Sequence, residues 1–182
     1  MKITKKDVVY CDANFLVAYG SKKVKQPEIQ KRARILFAQL LISGCSIIAS
    51  SLTFDESWLG IRREFGHKSI ISNIRFVISK LIEKVGLRLI NYGVIEFSYS
   101  EIFNDLNSFT NNLLNHRNFS VVQFQDSAMG VRDALGNINK FKLRPRDSFH
   151  LAIMKDNKAT YFISNDSHFK DKNQIEIRLI NF

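Results

Sequence analysis

Between Ile35 and Phe54 the chain carries no charged side chain, and that stretch constrains the fold more than any other feature. At about 20 residues, such a run is long enough to cross a bilayer as one helix. Its interior argues otherwise. Gln39, Ser43, Ser46, Ser50, Ser51 and Thr53 are polar, and Ser43-Gly44 supplies turn chemistry that splits the run into two shorter apolar segments. A buried helix followed by a buried strand accounts for it. The helix opens at Pro27 and carries Ile29, Ala33, Leu36, Leu40 and Leu41 at roughly helical spacing, with Gly44 as its stop. The strand is Ser46 to Ser50.

Two further short apolar runs, Val8 to Cys11 and Tyr161 to Ser164, read as strands buried on both faces. Phe119 to Phe124 and Ile175 to Ile180 alternate as strands, the latter at an edge, and Leu87 to Asn91 is a further candidate. Helices are expected after Asp12, through Leu16 and Ala18, and across Tyr99 to Leu114. Ile70, Ile74, Val77, Ile78, Leu81, Ile82 and Val85 follow amphipathic helical spacing up to Gly86. Asp126 to Asn139 reads as helix then loop, and a last helix starts near Asp147, after Pro145. Thr53 with Glu56 three residues on has the spacing of a capping box, which puts Glu56 in a first helical turn. Strands interleaved with helices imply an α/β fold with a mostly parallel central sheet flanked by helices. No linker or repeat divides the chain, so a single domain over 1–182 is expected.

Lys and Arg number 27 against 17 Asp and Glu, a net charge of +10, which favours a polyanionic partner without locating its site. Cys11 and Cys45 are too few for a disulfide scaffold and lack metal-ligand spacing, so both are expected as reduced core residues. Asp12 interrupts the apolar run behind Lys2, Lys5 and Lys6 before a signal peptide could be completed, and a cytoplasmic protein is expected.

Strands of a parallel sheet all return in one direction, so residues just after them collect along one edge. Asp12 and Asp166 follow expected strands, and Glu56 and Asp147 open expected helices, so four acids distant in sequence would converge there. Singly, each has an ordinary role as a cap or turn residue. Together they would repel one another unless protonated or neutralised by a cation, and a hard divalent ion such as Mg²⁺ or Mn²⁺ suits an all-oxygen site. That chemistry points to metal-assisted phosphodiester hydrolysis. Asp55 competes with Glu56, and Asp133-Ala134-Leu135 competes with Asp147, although Asp133 would need a long excursion before the next strand.

The motifs around these acids resemble those of PIN-domain ribonucleases, the family that includes VapC-type toxins. Val8-Val9-Tyr10-Cys11-Asp12-Ala13-Asn14-Phe15-Leu16 is similar to the family's opening strand, acid and helix, and Ser51 to Glu56 to the segment with its second acid. Asp147-Ser148-Phe149-His150-Leu151-Ala152 resembles the third, and Ser164-Asn165-Asp166-Ser167-His168-Phe169 the fourth. The resemblance covers the two ends of the chain better than its middle, where residues 115–144 form a longer segment than a minimal member needs.

The resemblance implies a three-layer α/β/α PIN-like fold. It also implies a metal-dependent endoribonuclease in which Asp12, Glu56, Asp147 and Asp166 hold one or two Mg²⁺ or Mn²⁺ ions, leaving a 5′-phosphate and a 3′-hydroxyl on RNA. Asn14, Ser164 and Asn165 would orient ligands or waters, and Arg62, Arg63, Arg144 and Arg146 are candidate RNA contacts. An antitoxin partner and a homodimer are further implications of the family. His150 reads as a core residue and His168 as a turn residue. The alternatives are a PIN-like module that binds RNA or protein without cutting, and a haloacid-dehalogenase-like phosphatase with Asp12 as nucleophile. Asn14 argues against the latter, standing where that family carries its acid/base Asp.

Overall fold

The computed structural model describes residues 3–21, 26–67, 98–169 and 176–182. The expected helix at Ile70 to Val85, the candidate strand at Leu87 to Asn91 and the basic loop at Lys22, Lys23 and Lys25 fall outside them. In chain order the elements are β1 (Val8–Cys11), α1 (Ala13–Gly20), α2 (Pro27–Ser43), β2 (Ser46–Ser50), α3 (Ser51–His67), α4 (Phe103–Leu114), β3 (Phe119–Val122), α5 (Ser127–Phe141), α6 (Pro145–Asp156), β4 (Tyr161–Ile163) and β5 (Arg178–Ile180). A 3₁₀ turn, Ser167–Phe169, follows β4.

The five strands form one sheet in the order β3-β2-β1-β4-β5, and every pairing is parallel. Val9, Tyr10 and Cys11 are fully buried because helices cover both faces. Val9, Cys11, Ile47, Ala49 and Ile163 pack with α1, α2, α3 and α4 through Leu16, Phe37, Ile61 and Phe109. Tyr10, Ile48 and Phe162 point the other way, against Phe141, Leu151 and Met154 of α5 and α6. The alternation of side chains along a strand thus separates two apolar cores and gives three layers. Cys11, the last residue of β1, and Cys45, just before β2, are buried free thiols.

The uncharged run folds as a helix and a strand: α2 begins with Pro27 at its first turn, and Gly44 ends it in the left-handed region at φ 69°. No helix among the described residues is long and apolar enough to cross a membrane. Four local expectations are corrected. The cap of α3 is Ser50, not Thr53: Ser50 Oγ accepts from the Thr53 amide at 3.2 Å and Thr53 Oγ1 accepts from the Ser50 amide at 3.3 Å, the reciprocal pair of a capping box. Glu56 therefore lies in the second turn. Helix α5 continues to Phe141 with no loop, because Asp126 caps its start through the Met129 amide and Ala134, Asn137 and Phe141 are buried along it. Helix α6 starts at Pro145, whose fixed φ suits a first turn and places Asp147 within that turn. The helix expected from Tyr99 begins at Phe103.

Candidate metal centre

The chain runs from β1 to β2 and β3 on one side, then crosses to β4 and β5 on the other. The point where the direction of winding reverses, between β1 and β4, is where open α/β sheets leave a crevice beyond their carboxyl ends. Asp12 and Ser164 sit there, each one residue past its strand.

Asp12 caps α1: its Oδ1 accepts from the Ala13 amide at 2.7 Å. Its Oδ2 accepts from Asn14 Nδ2 at 2.7 Å and from the Ser164 hydroxyl at 2.5 Å. Burial raises its pKa, and the Glu56 charge adds to that effect, while Ser164, His150 and the Ala13 amide work against it. Ser164 Oγ also accepts from the Asp166 amide at 2.9 Å, so one hydroxyl ties the acid after β1 to the acid after β4.

Glu56 reaches the crevice from α3. Its side chain is 18% exposed and that of Asp55 67%, so the second turn of α3 directs Glu56 inward and Asp55 outward. Glu56 Oε2 accepts from His150 Nε2 at 3.0 Å. Since a carboxylate only accepts, Nε2 carries a proton, and Nδ1 on the other side of the ring lies 2.8 Å from the Tyr10 hydroxyl. Tyr10 in turn lies 2.7 Å from Ser50 Oγ and 3.0 Å from Thr53 Oγ1. The capping box of α3 is thereby joined to Glu56 through two buried rings. His150 is buried as expected of a core residue, yet both of its nitrogens are committed. The signal that could have found it is spacing: His150 stands three residues after Asp147 on α6, on the same helix face.

Asp147 is raised by burial and by the Asp166 charge, with His168, His150 and Arg144 opposing. Asp166 is also penalised by burial, but donation from the His168 amide at 2.9 Å and the His168 ring at 2.7 Å outweighs it and holds its pKa below the ordinary value. His168 has the turn role expected of it. Ligand atoms of Asp12, Glu56 and His150 lie within 4.8 Å of one another, as do those of Asp147, Asp166 and His168. The four acids therefore form two groups, linked by Ser164, which hydrogen-bonds to Asp12 and to the Asp166 amide, and by α6, which carries both His150 and Asp147.

The decisive feature for a metal is an orphan. Among the described residues, the buried side-chain polar atoms without a hydrogen-bond partner are Asp147 Oδ2 and its neighbour Ser148 Oγ. A buried carboxylate oxygen left unpaired beside a second carboxylate is costly, and a cation relieves both the burial and the repulsion. All-oxygen donors with a His at each margin fit a hard divalent ion.

The remaining candidates scatter. Both atoms of the Asn165 amide engage the Phe182 backbone, Nδ2 donating at 2.8 Å and Oδ1 accepting at 3.0 Å, so this side chain secures the last residue of the chain. Asn14 stays in the site, donating to both Asp12 and Ser164. Arg146 Nη1 is 3.3 Å from Glu56, and exposed Arg144 precedes α6 beside Asp147 and Asp166. Arg62 lies 4.7 Å over the Tyr99 ring, and exposed Arg63 stands two turns beyond Glu56 on α3. Asp133, the rival to Asp147, is exposed on α5. A cleft of about 420 Å³ opens from Asn14 and Glu56 between α1 and α3, walled by Ala13, Val17, Ile29 and Gly60.

No family model matches the chain, and no curated protein matches it. The comparison with solved structures gives a different result. The chain is similar to one in the crystal structure of VapBC2 from Rickettsia felis, bound to a DNA fragment from its promoter, with a TM-score of 0.54. The match covers 96% of this chain and 98% of that one. The fold is PIN-like. At 13% identity the likeness lies in the backbone path.

Proposed function

We propose that the chain is a Mg²⁺- or Mn²⁺-dependent endoribonuclease and acts as the toxin of a toxin–antitoxin pair. The observation that carries this reading is the unpaired, buried Oδ2 of Asp147 facing a carboxylate cluster at the switch point of a PIN-like sheet. Asp12, Glu56, Asp147 and Asp166 hold the ion, directly or through water. A bound divalent ion would supply a water of lowered pKa and polarise the scissile phosphate.

The chain's own residues do the rest. Ser164 and Asn14 fix the Asp12 carboxylate by donating to the same oxygen, so it meets the ion in one orientation. His150 does the same for Glu56, and His168 for Asp166. Arg144 and Arg146, at the amino end of α6, offset the repulsion an RNA phosphate meets at an acidic centre, and Arg63 extends the cationic track along α3. Hydrolysis leaves a 5′-phosphate and a 3′-hydroxyl, with no covalent intermediate on the protein. The VapBC2 likeness supports an antitoxin as partner, and a homodimer remains part of the same reading.

The test is cleavage of a broad RNA panel by purified protein with Mn²⁺ and with chelator. The expected result is metal-dependent cutting, abolished by Asp12→Asn and by Asp147→Asn while folding is retained. RNA binding without cutting by metal-loaded wild type would establish the binding-module reading instead. Trapping of a phosphoaspartate on Asp12 would favour the phosphatase.

A further inference from the structure

The opposite edge of the sheet carries a second cleft, of about 700 Å³, that the nuclease reading does not use. Its walls come from the residues that open the strands: Asp7 before β1, Thr160 and Tyr161 at β4, and Arg178 at β5. Lys140 and Phe141 from the end of α5, and Lys155 and Lys158 from the end of α6, close it. Because every strand is parallel, this edge lies the full length of β1 away from Asp12, about 13 Å along the strand.

Four cations line the cleft, and two of them share one aromatic ring. Lys155 Nζ lies 5.0 Å and Lys140 Nζ 5.1 Å from the Phe141 centroid. Asn137, itself buried, accepts from Lys155 Nζ at 3.2 Å and so holds that ammonium in place. Arg178 lies over Tyr161, 5.9 Å from its centroid. Among the described residues none of these four cations is in an ion pair. Of the two acids, Asp7 is hydrogen-bonded to Thr4 and Thr160 and attracts Arg178 beyond ion-pair distance, and exposed Glu176 acts on Lys155 in the same way, so the cations outnumber the acids four to two.

A second observation concerns the backbone. Lys158 sits in the left-handed region at φ 54°, at the end of α6, with the Ala159 amide donating to the Met154 carbonyl at 2.8 Å. Helices that end this way take Gly at that position, since a side chain there is disfavoured. A lysine in its place puts a charge on the cleft at a conformational cost. Burial and the neighbouring Lys140 also hold the Lys155 pKa below the ordinary lysine value, and a bound anion would relieve that crowding.

We propose that Lys140, Lys155, Lys158 and Arg178 form a binding site for a phosphate ester, remote from the carboxylate cluster. The phosphate belongs either to a free nucleotide or to the backbone of an RNA strand. Neither source requires the metal.

The full chain is titrated in chelator with adenosine 5′-monophosphate, with adenosine, and with a ten-nucleotide 2′-O-methyl RNA. At least one phosphate-bearing probe is expected to bind while adenosine does not. Lys155→Ala and Lys158→Gly each weaken that binding by about tenfold. Lys158→Gly keeps a Tm no lower than wild type, which separates loss of the site from loss of the fold. Asp147→Asn binds as wild type does, so the result stands apart from that of the nuclease assay. Lys31→Ala, which removes a charge from exposed α2, has no effect. Mononucleotide binding identifies a free nucleotide as the source. Binding of the oligomer alone, with a salt slope that falls by about one per lysine removed, identifies a strand. Failure of both phosphate probes to bind, unchanged affinity in Lys155→Ala, or an equal loss in Lys31→Ala overturns the proposal.

Discussion

Asp147 shows how much of the centre depends on a single carboxyl group. Its folded pKa lies above the ordinary 3.8, so the native state binds more protons than the unfolded chain as pH rises through the window between those values. Stability of the metal-free protein therefore falls across that window. Asp166 has the opposite sign: its lowered pKa contributes stability above 3.8 that is lost as pH drops toward the folded value. Asp147→Asn is expected to remove the first effect and raise metal-free stability near neutral pH by about 1 kcal/mol, read by urea denaturation in chelator across pH. An unchanged pH slope would show that Asp147 carries no such penalty. Tyr10→Phe should cost about 1–3 kcal/mol, because His150 Nδ1, Ser50 and Thr53 each lose a buried hydrogen-bond partner. A cost below the error of the same denaturation experiment would mean that water replaces the hydroxyl. Asp12 and Asp166 were legible in the sequence because each follows an apolar run, and Glu56 and Asp147 because each stands near the start of an expected helix. The Tyr10–His150 connection was not, since 140 residues separate the pair and only the packing of α6 against the sheet brings them together.

The strands at the centre were the most legible elements. Val8 to Cys11 and, within β2, Ile47 to Ala49 are short continuous apolar runs because both faces of the sheet are covered, and their length fits strands rather than helices. The start of α3 was less legible: Ser50, Ser51 and Thr53 are all competent caps, and tertiary contact with Tyr10 decides among them. Ser50→Ala should therefore cost more than an isolated cap, about 2 kcal/mol, with the loss measured as a lowered midpoint of thermal or urea unfolding. Thr53→Ser, which keeps the hydroxyl, should cost clearly less. Helix α5 ran through the segment expected to turn from helix to loop before Asn139, because its buried face includes Asn137. Asn137 is satisfied by donating to the Ser148 carbonyl at 3.3 Å and accepting from Lys155, a pairing invisible without α6 alongside.

At the scale of the whole molecule, the parallel sheet has two edges of opposite chemistry. Carboxylates collect where the strands end, and lysines and Arg178 collect where they begin. The net charge of +10 pointed to a polyanion but not to this polarity, which only the topology creates. Divalent ions that bind the native state alone should stabilise it, by about 2.7 kcal/mol at a hundredfold excess over Kd, with the increase absent in Asp147→Asn. The most direct test of the central claim is anomalous scattering from crystals grown with Mn²⁺. The account predicts a peak about 2.1 Å from carboxylate oxygens of the cluster, with Asp147 Oδ2 among its neighbours, directly or through one water. A structure in which Asp12, Glu56, Asp147 and Asp166 surround no such peak at saturating Mn²⁺ would contradict it.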